Sequence, residues 1–337
     1  MTEAPKVSII IPTLNSQRTL QLCLQSINNQ NYSGETEIWI VDGGSTDDTL
    51  KIAKVNEARI IKNRLKTGEA GKAVGAKRAG GEILAFIDSD NVLPSKDWLS
   101  QLIKPFRMDE EIIATEPLFF TYRRNDHWLT RYFALLGMGD PLSLFIGWYD
   151  KYSYLTDKWS GLNIKIQNKN DYFSFYLKRE IPTIGANGFL VRKSELLKYP
   201  IGDYLFDTDV LKMLSGKKRV KVAKVRVGII HLFTGDIGAF IRKQRRRIKD
   251  YIFFRKQGLR VTDNDNKRIY WGIVKFVSSV ILILPLLVQT LVGYLRKKDP
   301  AWLFHPVACW LTFIIYTEET IKAPFVKSEF DRKGWKQ

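Results

Sequence analysis

The sequence predicts an α/β fold: a mostly parallel sheet with flanking helices, followed by a basic amphipathic helix and a C-terminal apolar helical segment. Three observations carry that prediction. Strand-like and helix-like segments alternate through the first hundred residues, as a parallel sheet requires. Positive charge is concentrated late in the chain: residues 212–268 hold eighteen Lys and Arg against four Asp, a net +14 of the total +18. Directly after it, residues 276–295, "FVSSVILILPLLVQTLVGYL", carry no charge over a length that crosses a hydrocarbon core as a helix.

The elements follow in order. "KVSIIIPT" reads as a buried strand, and "TLQLCLQSINNQ" as a helix with Leu20, Cys23, Leu24 and Ile27 on one face. "TEIWIVDGGS" is a second strand, and "STDDTLKIAKV" opens a helix with Ser45 or Thr46 as cap and Asp47 and Asp48 at its positive end. "ARIIKN" supplies a third strand, the glycine-rich "GEAGKAVGAKRAGG" a short helix, and "EILAFIDSDN" a fourth strand. Ligands bind at the carboxyl ends of such strands. That rule gathers Pro12, Thr13 and Asn15 after the first strand, Asp42 after the second, Lys72 in the loop after the third, and Asp88 to Asp90 after the fourth.

Asp88 and Asp90 stand one residue apart, so on a strand running off its end both face one side while Ser89 points away. Hard divalent cations prefer carboxylate and phosphate oxygens, so the pair suits Mg²⁺ or Mn²⁺ bridged to a diphosphate. Gly71 and Gly75 are read as permitting close backbone approach to a ligand.

Taken together, "VSIIIPTLNSQRTLQLCLQSINNQ", "EIWIVDGGSTDDT" and "GGEILAFIDSDN" resemble the amino-terminal half of family-2 glycosyltransferases with the GT-A (Rossmann-like) fold. The resemblance is dense over residues 5–100 and sparse to 231–250. It implies a nucleoside-diphosphate sugar as donor, with Pro12, Thr13 and Asp42 at the base and ribose, Lys72 near the nucleotide, and Asp90 as metal ligand with Asp88 as ligand or ribose contact. Arg78 is similar to Lys72 in this respect. Gly185, Ala186, Asn187 and Gly188 of "TIGANGFLVRKSELL" then form the floor beneath the sugar. "DYLFDTDVLKML" lies where the family has a Glu-Asp pair whose Asp is the general base; Phe206 replaces the Glu, leaving Asp207, with Asp209 as alternative and Asp203 as a weaker one. A phosphate acceptor needs no base at all, since its oxygen is already ionised.

The resemblance also offers His231 of "VGIIHLF" as a third metal ligand, the favoured reading; the other is a satisfied histidine at a strand end. "GAFIRKQRRRIKDY" spaces Ile237, Phe240, Ile241, Ile248, Tyr251 and Ile252 as on a helix, with basic residues between them, the form of a helix lying on a membrane surface. Its "QRRRI" resembles the Gln-x-x-Arg-Trp motif of processive members, with Ile248 in place of Trp, so Gln244 and Arg247 carry over only as acceptor or diphosphate contacts.

The expected organisation is a catalytic domain over 1–235 (nucleotide half 1–100, acceptor half 101–235), a basic interface helix region over 236–268, transmembrane or re-entrant helices over 269–320 and a cytoplasmic tail over 321–337. Residues 276–295 are the best spanning segment; "AWLFHPVACWLTFIIY" at 301–316 completes a hairpin, is re-entrant or lies along the interface. "MTEAPK" passes directly into a short apolar run, and the two cysteines, Cys23 and Cys309, build neither a disulfide framework nor a cysteine metal site. The expectation is therefore a cytoplasmic catalytic domain on a membrane. The function expected is inverting transfer of a sugar from a nucleoside diphosphate to a lipid-linked acceptor, either polyprenyl or dolichyl phosphate or a lipid-linked glycan. The alternative is an inactive membrane-surface protein that binds nucleotide sugars. Nucleic acid is not an expected partner, because charge alone supports it and no reader motif is present. The oligomeric state is left open.

Overall fold

The structure is a computed structural model describing residues 3–177, 180–185, 187–198, 201–216, 219–233, 235–260 and 266–325. The described chain forms two compact units, one from residues 3–121 and 164–232, the other from 122–163 and 233–325.

The first unit holds the sheet. β1 (Val7–Thr13), α1 (Gln17–Asn28), β2 (Thr36–Asp42), α2 (Thr49–Val55), β3 (Arg59–Lys62), α3 (Gly68–Arg78) and β4 (Ile83–Phe86) alternate as the sequence predicts. β1 pairs in parallel with β2 and β4, and β2 with β3. Buried Leu20, Cys23, Leu24 and Ile27 form the inner face of α1, the expected stripe. A short β5 (Asn91–Val92), α4 (Trp98–Met108) and β6 (Ile112–Phe120) follow.

After α5 (Trp128–Leu136) and α6 (Pro141–Ile146), which belong to the second unit, the chain returns with β7 (Gln167–Asn168), β8 (Tyr172–Tyr176), β9 (Phe189–Arg192), α7 (Lys193–Leu196), α8 (Asp207–Ser215) and β10 (Lys221–His231). The sheet runs β3-β2-β1-β4-β9-β6-β10-β8-β7, with β5 on β10. β9 enters antiparallel between β4 and β6, so the parallel half is continued by a mixed half.

Three local expectations are corrected. α2 starts at Thr49 with Asp48, not Ser45 or Thr46, at its N-cap position: the Ser45 hydroxyl donates to Asp42 Oδ1 (2.5 Å), while Asp47 Oδ1 accepts from Thr49 N (3.1 Å). Lys72 lies within helix α3, not in a loop. Gly71 and Gly75 serve α3 packing on β1: a Cβ at Gly75 would stand 2.4 Å from Ile10 Cγ2, and one at Gly71 2.9 Å from Pro12 Cβ. One turn apart on the helix, they let its backbone reach the strand.

The second unit is helical: α5, α6, α9 (Ile237–Lys256), α10 (Asn266–Leu282), α11 (Leu284–Arg296) and α12 (His305–Ile321), the last preceded by a 3₁₀ turn at Pro300–Phe304. Its core packs Tyr132, Phe133, Phe240, Trp302 and Phe304. A single straight span over 276–295 is not formed. The chain bends by 95° between α10 and α11, because Pro285 in the first turn of α11 has no N–H for a continuing helix and Ile283 takes φ +60°. Among the described residues, the continuous helix long and apolar enough to cross a membrane, by length and composition, is Pro300–Ile321.

Candidate active site

The carboxyl ends of β1, β2 and β4 bring the expected residues to one edge. Thr13 pairs with Asp42 across β1 and β2, and its Oγ1 donates to Asp42 Oδ1 (3.0 Å). Oδ2 of Asp42 accepts from the backbone N–H of Gly44 (2.8 Å) and Ser45 (2.9 Å). The buried carboxylate thus orders the loop after β2, since each of its oxygens already takes two donors. Pro12 packs on Gly71.

Asp88 and Asp90 are not on a strand, which corrects the period-two argument made for them. β4 ends at Phe86, and Asn91 N donates to Asp88 O (2.9 Å), closing a turn. Inside it the Asn91 side chain accepts from Asp88 N (3.2 Å), and Ser89, buried, donates to Ser16 Oγ (3.0 Å). The antiparallel pairing of Asn91 with His231 carries Asp90 alongside β10, so that His231 Nε2 lies 3.4 Å from Asp90 Oδ2. Leu232 N donates to Asp90 O (2.8 Å), fixing the same register from the other strand.

Among the described residues no group of three His, Cys, Asp or Glu is gathered as a complete ligand set. An oxygen and an imidazole nitrogen on one side of a turn nevertheless fit a divalent cation that takes its other positions from water and substrate phosphate, as Mg²⁺ characteristically does. Asp90 and His231 are the pair so placed; Asp88 is half-buried at the other end of the turn.

Asp207 begins α8 and is buried. Its Oδ2 accepts a hydrogen bond from Lys72 Nζ of α3, and its Oδ1 is buried without a hydrogen-bond partner. Burial pushes the Asp207 carboxyl up to about 7, against the downward pull of the Lys72 ammonium. Lys72 stays above the usual lysine range, since the attraction of Asp207 and Asp88 exceeds the effect of its own burial. A buried carboxyl near neutrality, with one oxygen uncommitted, has the properties of a general base. Asp209 is buried one half-turn on, with Thr208 Oγ1 donating to it (3.3 Å), and Asp203 is exposed.

The turn before β9 completes the site. Gly185 has φ +132°, and a Cβ there would stand 2.1 Å from Asp207 Cβ, so only glycine lets the turn lie against the acid. Asn187, at φ +61°, accepts from Asn91 Nδ2 (2.9 Å), and Gly188 N donates to Phe86 O (3.1 Å). Ala186 lies outside the described residues, as do 326–337 of the expected tail.

Sequence reasoning missed Glu116 and Lys224. Fully buried on β6 and β10, they form an ion pair at 2.5 Å, and Glu116 Oε1 accepts from Gly185 N (3.0 Å). Charged residues within "IIATEPLFF" and "KVAKVRVGIIH" were the available signal, because a carboxylate and a lysine on buried strands must find each other.

Gln244 and Arg247 belong to the second unit. Both donate to Gly139 O (2.9 Å each), and Arg247 Nη1 donates to Gln244 Oε1 (2.6 Å). Tyr316 OH lies within hydrogen-bonding distance of Asp140 Oδ2 (2.8 Å) and Gln244 Oε1 (3.1 Å), so the motif is tied into a part-buried polar network there.

A GT-A sheet whose strand ends present an acidic turn, a histidine and a buried lysine-paired aspartate defines the class, and the chain belongs to glycosyl transferase family 2, whose model matches residues 8–179. Among curated relatives, it is 29% identical over 141 residues to the glycosyltransferase AglE of Haloferax volcanii, covering 40% of this chain and 46% of that protein. It is 37% identical over 105 residues to a PGL/p-HBAD biosynthesis glycosyltransferase of Mycobacterium bovis, covering 29% and 41%. The matches span less than half the length of these relatives. The fold is shared with mannosyltransferase PcManGT from Pyrobaculum calidifontis, solved with GDP-Man and Mn²⁺: TM-score 0.53, 14% identity, 94% of this chain and 88% of that one.

Proposed function

We propose that the chain is a metal-dependent, inverting glycosyltransferase of hexosyl or N-acetylhexosaminyl type. It moves a sugar from a nucleoside-diphosphate donor to a lipid-linked acceptor, polyprenyl or dolichyl phosphate or a lipid-linked glycan, on the cytoplasmic face of the cell membrane. The carrying observation is the placement of Asp207 against Gly185, with Asp90, in the turn after β4, paired to His231 at the end of β10. Asp207 accepts the proton of an acceptor hydroxyl on Oδ1, while Lys72 holds Oδ2 and fixes the carboxylate's orientation. Thr13 and the loop ordered by Asp42 bind the nucleoside, and Asn187 and Gly188 bear the sugar. Asp90 and His231, with Asp88, would hold Mg²⁺ or Mn²⁺, which supplies charge neutralisation at the departing diphosphate.

The lipid acceptor is supported by the apolar helices of the second unit and by the basic α9. The test offers a panel of radiolabelled nucleotide sugars to membranes containing the protein. Label in a butanol-extractable product that disappears with Asp90→Ala is the expected result; with a hydroxyl acceptor it also disappears with Asp207→Asn, whereas a phosphate acceptor, already ionised, retains it. Absence of any lipid product across the panel overturns the acceptor. Donor bound without either transfer or metal-dependent hydrolysis would leave the alternative of an inactive nucleotide-sugar-binding protein.

A further inference from the structure

The second unit carries an apolar surface that none of its described residues covers. On α11, Leu284, Leu287, Val288, Leu291 and Leu295 are all exposed, at spacings of three and four, and Ile281, Leu282 and Ile283 continue them around the bend. Leu303, Val307, Trp310, Ile314 and Ile321 form a similar exposed stripe along the helix beginning at Pro300. The opposite sides are packed: Phe276, Val280, Leu286 and Cys309 cluster with Phe145 and Phe313, and a Cβ at Gly293 would stand 2.6 Å from the Trp302 ring. The bend is therefore held by internal contacts, with its outer surface left apolar. A soluble monomer rarely exposes a continuous patch of this size.

We infer that the α10–α11 elbow inserts into a single leaflet of an anionic bilayer, apex first, without crossing it. Charge placement selects lipid over another occupant. No charged residue lies between Lys275 and Arg296, whereas Lys267 and Arg268 begin the first arm and Arg296, Lys297 and Lys298 end the second. An apolar apex with basic tips matches hydrocarbon beneath anionic headgroups. Tyr270, Trp271 and Tyr294, exposed toward the basic tips, are the residue types of the headgroup boundary.

The geometry supplies the depth. α11 has 13 residues and the bend is 95°. If the arms splay evenly, α11 descends ~13 Å at ~1.5 Å rise per residue, within the ~15 Å of one hydrocarbon leaflet. The same 20 uncharged residues that would span the bilayer as one straight helix instead enter and return. This inference rests on the membrane association proposed above and changes its form for this segment.

Single cysteines test it in the purified full chain, because the native Cys23 and Cys309 are both buried. Lys267→Cys, Lys298→Cys and Leu287→Cys variants are added to preformed, sealed phosphatidylglycerol-containing vesicles. An impermeant maleimide applied outside should label both Lys267→Cys and Lys298→Cys fully without detergent, and an environment-sensitive dye at Leu287→Cys should shift to the blue with several-fold brighter emission. Labelling of only one tip would mean a crossing segment and overturn the inference. So would a Leu287→Cys dye that stays water-exposed, or one already blue-shifted without vesicles, which would mark contact with a second copy. Donor hydrolysis by the same preparations reports separately on the transferase reading.

Discussion

Lys72 on α3 and Asp207 at the start of α8 form a buried ion pair across 135 residues of sequence. Removing one member of such a pair leaves an uncompensated buried charge, at a cost of about 3–5 kcal/mol. Lys72→Met should therefore destabilise the protein at pH 8, where Asp207 is ionised. The loss should shrink at pH 5, where a carboxyl raised to about 7 is already protonated in the folded protein. Denaturant unfolding at the two pH values checks this; equal losses would show that the pair contributes no charge interaction.

The same carboxyl sets a pH profile for transfer to a hydroxyl acceptor. A base must be deprotonated, so kcat/KM should fall about tenfold per pH unit below about 7 and level off above it. Lys72→Met removes the influence that lowers Asp207, and the limb should move to higher pH. Asp207→Asn should cost on the order of 10²–10⁴-fold in kcat while donor binding persists. An Asp209→Asn variant with the larger loss would transfer the base role to Asp209.

Glu116 joins Lys224 to the Gly185 N–H, and thereby holds the turn that lies against Asp207. Glu116→Gln alone should cost on the order of 3 kcal/mol of stability, because it removes the carboxylate that offsets the buried Lys224 charge. The double variant Glu116→Leu, Lys224→Met removes both charges and should recover most of that loss. It still lacks the anchor for Gly185, so kcat should fall, on the order of 10²-fold for a shift of about 1 Å, with the donor KM little changed. An unchanged kcat in a folded double variant would confine Glu116 to a structural role.

Much of this was legible in sequence because it is local. The alternation of strand and helix, the face of α1 and the strand-end positions of Thr13, Asp42 and Asp88 each depend on patterns a few residues long. What escaped depends on pairing across the sheet. β9 enters antiparallel between β4 and β6, and only then can Gly185 meet Asp207 and Glu116. The glycines of α3 were misassigned for the same reason, since their partner is a strand some sixty residues earlier. Hydropathy singled out residues 276–295 as an uncharged run of spanning length, but the backbone at Ile283 and Pro285 decides whether such a run is straight.

The acidic turn carries the last prediction. His231 Nε2 lies 3.4 Å from Asp90 Oδ2 because Asn91 and His231 pair across β5 and β10. With so few protein donors, a bound cation depends on both residues and on the diphosphate. Chelation with EDTA should abolish transfer, and Mn²⁺ or Mg²⁺ should restore it. His231→Asn should raise the Mn²⁺ needed for half-maximal rate on the order of tenfold, and Asp90→Ala should prevent restoration at any concentration tested. Thermal shift gives a readout independent of activity: Mn²⁺ should stabilise the protein more with nucleoside diphosphate than without, and Asp90→Ala should remove that difference. Full activity in EDTA, or a metal-dependent shift surviving in Asp90→Ala, would take the cation away from this turn.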